Sequence, residues 1–106
     1  MSRNRWEKSK EYEKSWWQRW KARVDINYIR GLVTDRARGL ATILDQSLTY
    51  TDGTTILQVG PGGNAEIHFL KGIRHAIDPL ASFFKKNFTE LIDPDVSYIE
   101  GMGEAL

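Results

Sequence analysis

The residues of this chain whose types and spacing point to chemistry are a glycine-rich turn and one acid. Gly60-Pro61-Gly62-Gly63-Asn64 follows a short, β-branched, mostly apolar run, Thr55-Ile56-Leu57-Gln58-Val59. Such a turn between a buried strand and a helix lets a ligand approach bare backbone, while amides at the helix start receive electronegative groups. Asp78 stands 18 residues after Gly60, close to the spacing of about 20 at which an acid ending the second strand accepts both hydroxyls of a ribose. Turn and acid together describe a nucleoside cofactor site, although a glycine cluster alone is more often a structural turn. Gly60-x-Gly62-x-x-Ala65 also satisfies the dinucleotide pattern, so an NAD(P)-dependent oxidoreductase is one reading at this point.

Other chemistry is excluded or left without a candidate. The chain has no cysteine, hence no disulfide, thiolate nucleophile or sulfur metal site, and nothing indicates a metal. Its two histidines, His68 and His75, fall away from the expected ligand end and read as structural or solvated. No catalytic base can be named.

The elements that must position the site follow from periodicity. Ile26, Ile29, Val33, Ala37, Leu40, Ala41, Leu44 and Leu48 keep a 3.6-residue period, which predicts a core-facing helix of roughly six turns. Gly31 and Gly39 each weaken it by about 1 kcal/mol relative to alanine, so a break or a close packing is expected at one of them. After the turn at Thr51-Asp52-Gly53 the pattern changes to alternating elements. Strands are predicted at 55–59, 74–78 and 96–100, with helices at 65–71 and 80–91 between them. The order β-α-β-α-β over residues 55–100 is that of parallel crossovers, giving an α/β, Rossmann-like parallel sheet of about three strands preceded by N-terminal helices.

At 106 residues, 41% hydrophobic and 27% charged, the chain is one ordinary globular domain rather than a disordered tail or a disulfide scaffold. A net charge of +1 hides an asymmetry, because residues 1–23 hold eight Lys/Arg against three Glu while the remainder is acidic. All four tryptophans, Trp6, Trp16, Trp17 and Trp20, lie in that basic segment. Residues 1–24 therefore read as a Trp-rich helical extension, and 25–106 as the first half of a cofactor-binding domain. Trp6, Trp17, Trp20 and Val24 share one helical side, but the basic residues are spread around the circumference. That pattern favours a helix packing its tryptophans on the domain or a partner, over a membrane-surface or nucleic-acid helix. No run approaches the roughly 18 apolar residues of a membrane span, and no secretion signal opens the chain, so a cytoplasmic protein is expected.

Around the glycine turn the chain resembles the S-adenosylmethionine-dependent methyltransferases with the Rossmann-like fold. Their first motif is similar to Ile56-Leu57-Gln58-Val59-Gly60-Pro61-Gly62-Gly63-Asn64, and their second-strand acid to Asp78 in His75-Ala76-Ile77-Asp78-Pro79. A third likeness, to the segment bordering the adenine, covers Tyr98-Ile99-Glu100-Gly101-Met102-Gly103-Glu104-Ala105-Leu106. The resemblance implies that the Gly60–Gly62 backbone faces the amino-acid part of S-adenosylmethionine and that Asp78, beside Pro79, holds the ribose. It implies further that Met102 and Gly103 line the adenine. Gln58 replaces an acid of the family pattern, Asn64 replaces its third glycine, and Met102 stands where an acid often meets the adenine amino group, a contact Glu104 could supply. The implied reaction is transfer of the sulfonium methyl to an unidentified acceptor by in-line displacement, which needs alignment and exclusion of water. A small-molecule acceptor is favoured, and a nucleic acid is not.

The resemblance also implies further strands beyond the third, so the chain is expected to be the N-terminal portion of such an enzyme or to be completed by another chain. The first strand would then present an unpaired hydrophobic edge that invites self-association. The competing readings are the NAD(P)-dependent oxidoreductase fragment and a non-catalytic interaction module that docks a partner through the Trp-rich helix.

Overall fold

The computed structural model describes residues 3–102. Two helices, α1 (Arg3–Arg23) and α2 (Ile26–Ser47), precede strands β1 (Thr55–Val59), β2 (Ile73–Asp78) and β3 (Ser97–Glu100), with helix α3 (Ala81–Asn87) between the last two. The strands form one parallel sheet in the order β1-β2-β3. Val59 is in register with Ile77, and Asp78 with Glu100, so the three strands end together at one rim. This is the expected α/β arrangement.

The chain turns between α1 and α2 because Asp25 caps the second helix: its carboxylate accepts from the N–H groups of Asn27 (3.0 Å) and Tyr28 (3.3 Å), satisfying amides that have no helical partner. Gly31 and Gly39 neither break α2 nor bring a neighbour close. The helix runs through both, and a Cβ at either would meet nothing within 4 Å. The packing of Val33 and Ala37, both buried, carries the helix across its two weak points.

Two expected helices are shorter than their sequence pattern. Residues 65–71 hold only a single 3₁₀ turn, Glu66–Phe69. Side chains from the sheet capture the backbone groups that a longer helix would use: Gln58 Oε1 accepts from Ile67 N–H (3.2 Å), and Arg74 donates to the carbonyls of Ile67 and His68 (both 3.3 Å). Ile67, His68 and Leu70 are all buried, a pattern that a turn wrapped in core satisfies and a one-sided helix does not. The expected helix over 80–91 divides into α3 and a 3₁₀ turn at Thr89–Leu91. There Lys21 Nζ takes the carbonyl of Asn87, and the Arg30 guanidinium takes that of Glu90 (2.6 and 3.0 Å), so cations from α1 and α2 terminate the helix.

The core lies on one face of the sheet and is built around Phe84 and Phe88, both fully buried. Trp17 meets both rings edge-on, at 5.3 and 5.7 Å, and Trp20 stacks on Phe88 at 6.1 Å. The tryptophan helix therefore docks on its own domain, as its pattern allowed. Trp16 stays at the surface, 41% exposed, with its edge against Trp17.

Replacement Trp17→Ala is expected to lower unfolding free energy by about 3 kcal/mol, as for other large-to-small changes in a core. Trp16→Ala is expected to change it by under about 0.5 kcal/mol. Urea unfolding followed by circular dichroism checks both, and equal effects would show that α1 does not dock through Trp17.

Candidate functional site

The site predicted from sequence lies at the rim where the strands end. Gly60 and Gly62 have positive φ, +64° and +73°, as the bend out of β1 requires. Gly60 N–H donates to Ile77 O (2.8 Å), keeping the bend against β2. Asp78 closes the arrangement. Its Oδ2 accepts from Gly62 N–H at 3.1 Å and its Oδ1 from Leu80 N–H at 2.8 Å, while Gly101 N–H reaches its main-chain oxygen at 3.2 Å. One acid thus joins the glycine turn, the start of α3 and the end of β3. The convergence of Gly60, Gly62 and Asp78 expected from their spacing is present.

The orientation of Asp78 is a finding that spacing did not contain. The residue is 5% exposed, and each carboxylate oxygen already has a backbone donor, so it faces its own loop. The glycines also serve packing as well as turning. A Cβ at Gly63 would lie 2.7 Å from the Phe88 ring, and one at Gly62 would lie 3.0 Å from the Trp17 indole. At Gly60 a Cβ would meet nothing within 4 Å. Bare backbone open to a ligand is therefore found at Gly60, whereas Gly62 and Gly63 lie under aromatic rings.

The remaining expected residues separate into two groups. Pro79 lines a cleft of about 570 Å³ at the same rim, between α1 and α3, with Lys10, Lys14, Ser15, Ser82 and Glu100. Met102, 37% exposed, follows the end of β3. Pro61 is half-buried in the turn itself. Gln58 and Asn64, by contrast, are bound into the support of the loop. Gln58 Nε2 donates to Glu66 (3.3 Å), Glu66 pairs with Arg36 (3.2 Å), and Arg36 donates to the Asn64 carbonyl (2.8 Å). Gln58 therefore braces the turn from the core side, its amide engaged by Ile67 and Glu66. The expected contributions of Gly103 and Glu104 lie outside the described residues.

Three residues at the rim have roles that the motifs did not assign, although Tyr98 and Glu100 lie within the segment likened to the adenine border. Tyr98 donates its hydroxyl to Gly62 O (3.3 Å), and burial, followed by the charge of Asp78, pushes that hydroxyl's pKa upward. Glu100 accepts from Ser82 N–H (3.1 Å). Trp17 roofs the turn. Tyr98 carried a usable signal, since it is the inward-facing, buried residue of β3 and a buried tyrosine hydroxyl seeks a partner.

His68 lies away from the rim, as expected, and is buried. Its Nδ1 accepts from Asp93 N–H (3.2 Å), and its ring stacks on Tyr98 at 5.6 Å. The proton of the neutral ring accordingly sits on Nε2, which has no hydrogen-bond partner. Burial lowers its pKa from 6.5 to about 4, outweighing the charge of Asp93, which pairs with Arg74 at 2.7 Å. His75 sits half-buried in mid-strand, in register with Leu57 and Ser97. Among the described residues no group of three His, Asp or Glu side chains could hold a metal. None of their helices is long and apolar enough to cross a membrane.

No protein-family model matches the chain, and neither a curated protein nor a solved structure matches it. The site therefore rests on its own geometry.

Because the folded His68 excludes a proton that the unfolded chain binds, its contribution is complete above pH 6.5 and is lost as pH falls toward 4. The expected loss over that window is up to about 3 kcal/mol. Denaturation measured at half-unit pH steps is expected to show this slope in the native protein and to show it abolished in His68→Gln. The same slope in both would mean that His68 is charged in the fold.

Proposed function

We propose that this chain is the cofactor-binding part of an S-adenosylmethionine-dependent methyltransferase, taking the cofactor across the rim formed by the ends of β1, β2 and β3. One observation carries the reading: the positive-φ glycine turn after β1 and the Asp78 carboxylate at the end of β2 lie within hydrogen-bond distance of each other, at 3.1 Å. Open backbone and an acid on adjacent parallel strands are the pairing by which doubly wound folds take a nucleoside. The residues fit on one condition. Asp78 is 5% exposed, so a ribose reaches the lone pairs that its two backbone donors leave free only if the turn at Gly62 opens, and binding re-forms the turn.

In this reading the open backbone at Gly60 receives the amino-acid part, Asp78 takes the ribose hydroxyls, and Met102 borders the adenine. The cofactor supplies an electrophilic methyl group on sulfur. The chain's own part is to orient the cofactor and, through α1 and Trp17, to shield it from water. The cleft between α1 and α3, of about 570 Å³, has the size of a small-molecule site and favours an acceptor of that class. The same reading places the protein in the cytoplasm.

Calorimetric titration with S-adenosylmethionine is expected to give saturable heat, accompanied by a change in tryptophan fluorescence, since Trp17 touches the turn. NAD⁺ is expected to give neither. Gly60→Ala places a methyl group in the open cradle at a cost of about 1–2 kcal/mol in stability and is expected to weaken S-adenosylmethionine at least tenfold. Heat with NAD⁺ alone would favour the oxidoreductase reading, and heat with neither would return the glycine turn to a structural role.

A further inference from the structure

The two edges of the sheet are not equivalent. In β1, Thr54 O accepts from Ile73 and Gly60 N–H donates to Ile77. By the two-residue period of a strand, the even-numbered groups of β1 face β2, and the N–H and C=O of Thr55, Leu57 and Val59 face outward. In β3, Gly101 N–H donates to Asp78 O, so there the groups of Tyr98 and Glu100 face outward. That edge is guarded: Lys85 Nζ occupies Tyr98 O at 3.1 Å, and Glu100 carries a charge. The β1 edge has none of the devices that prevent strand pairing, having no lysine, no proline, no charge and no bulge.

The side chains beside the β1 edge are equally unprotected. Leu57 and Val59 are 50% and 54% exposed, and Ile73 and Ile99 continue the apolar face across the sheet at 51% and 53%. By register Thr55, His75 and Ser97 share this face, and no Asp, Glu, Lys or Arg of the three strands alternates onto it. All-parallel sheets are ordinarily covered on both faces, and here the core covers one.

We propose that β1 pairs with β1 of a second copy of this chain, antiparallel and about a two-fold axis at Leu57. The register is self-complementary. With Leu57 opposite its symmetry mate, Thr55 faces Val59 of the other copy, and the outward N–H and C=O of all three residues find partners. The apolar faces of both copies then join on one side of a continuous sheet, and no like charges are brought together at the seam. A partner strand of different sequence would satisfy the backbone equally well, but this strand supplies its own match in length, register and charge. One strand pair is small against the roughly 800 Å² per partner of a stable dimer, so the assembly is expected to depend on concentration.

Sedimentation equilibrium of the full chain, from micromolar to millimolar concentration, is expected to show a reversible rise from the 12.2 kDa monomer to the dimer. Leu57→Lys sets two ammonium groups opposite each other at an exposed position and is expected to weaken association at least tenfold, with unchanged circular dichroism. Because the chain has no cysteine, Leu57→Cys reports the register directly: mild oxidation is expected to link two chains covalently, whereas Ile99→Cys, two strands away, is expected to associate as the native chain does but to form no covalent link. A monomer at every concentration overturns the proposal. So does a dimer that survives Leu57→Lys while Leu57→Cys fails to cross-link.

Discussion

The structure depends on a buried carboxylate satisfied by main chain. Removing an acid from water is unfavourable unless donors replace the water, and Asp78 obtains them from Gly62 and Leu80. Those amides belong to two different connections, so the acid fixes the exit from β1 and the entry into α3 in one step. The rest of the rim is arranged around that constraint. Gly60 turns back onto β2, Tyr98 holds the far side of the turn, and Trp17 closes it from above. Gly62 both permits the bend and lets Trp17 approach, and Gly63 beside it admits Phe88, so turn and core are one packing problem.

Cationic side chains provide the second organising element. Lys21, Arg30, Arg36, Arg74 and Lys85 each donate to a main-chain carbonyl, at Asn87, Glu90, Asn64, Ile67 and His68, and Tyr98 respectively, with Arg74 serving two. A short chain with single-turn 3₁₀ connections has many carbonyls without regular partners, and charged donors make the stronger hydrogen bonds. Part of the basic excess of the first helix is thus structural, Lys21 being its clearest case. The positive charge of that helix is correspondingly scattered around its circumference rather than gathered on one face.

The legible parts of the sequence were those governed by local rules. β1 occupies the expected residues because a β-branched run bounded by turn and glycine residues leaves few alternatives, and α2 follows from its period. The convergence of the glycine turn with Asp78 followed from topology, since adjacent parallel strands must end at one rim. Contacts between distant side chains were not legible. The shortening of the 65–71 segment depends on Gln58 and Arg74 reaching its backbone, and the division of 80–91 on Lys21 and Arg30. Spacing placed Asp78 at the rim correctly but carried no information about which donors it would face, because Gly62 and Leu80 come within reach of its two oxygens only once the fold has formed.

That internal satisfaction of Asp78 sets the terms for any ligand at the rim. A hydrogen bond to a charged group is worth about 1.5–3 kcal/mol, and opening the buried turn to admit a ribose breaks the bond from Gly62. Every 1.4 kcal/mol is a factor of ten in affinity, so the self-satisfied turn lowers affinity by roughly ten- to a hundredfold unless the freed amide finds a new acceptor on the ligand. A carboxylate lying along the glycine turn is such an acceptor. Recovery of that bond would favour a ligand carrying both a ribose and an acid over a bare nucleoside. In that way the internal bond between Asp78 and Gly62, which stabilises the free protein, also becomes a source of discrimination.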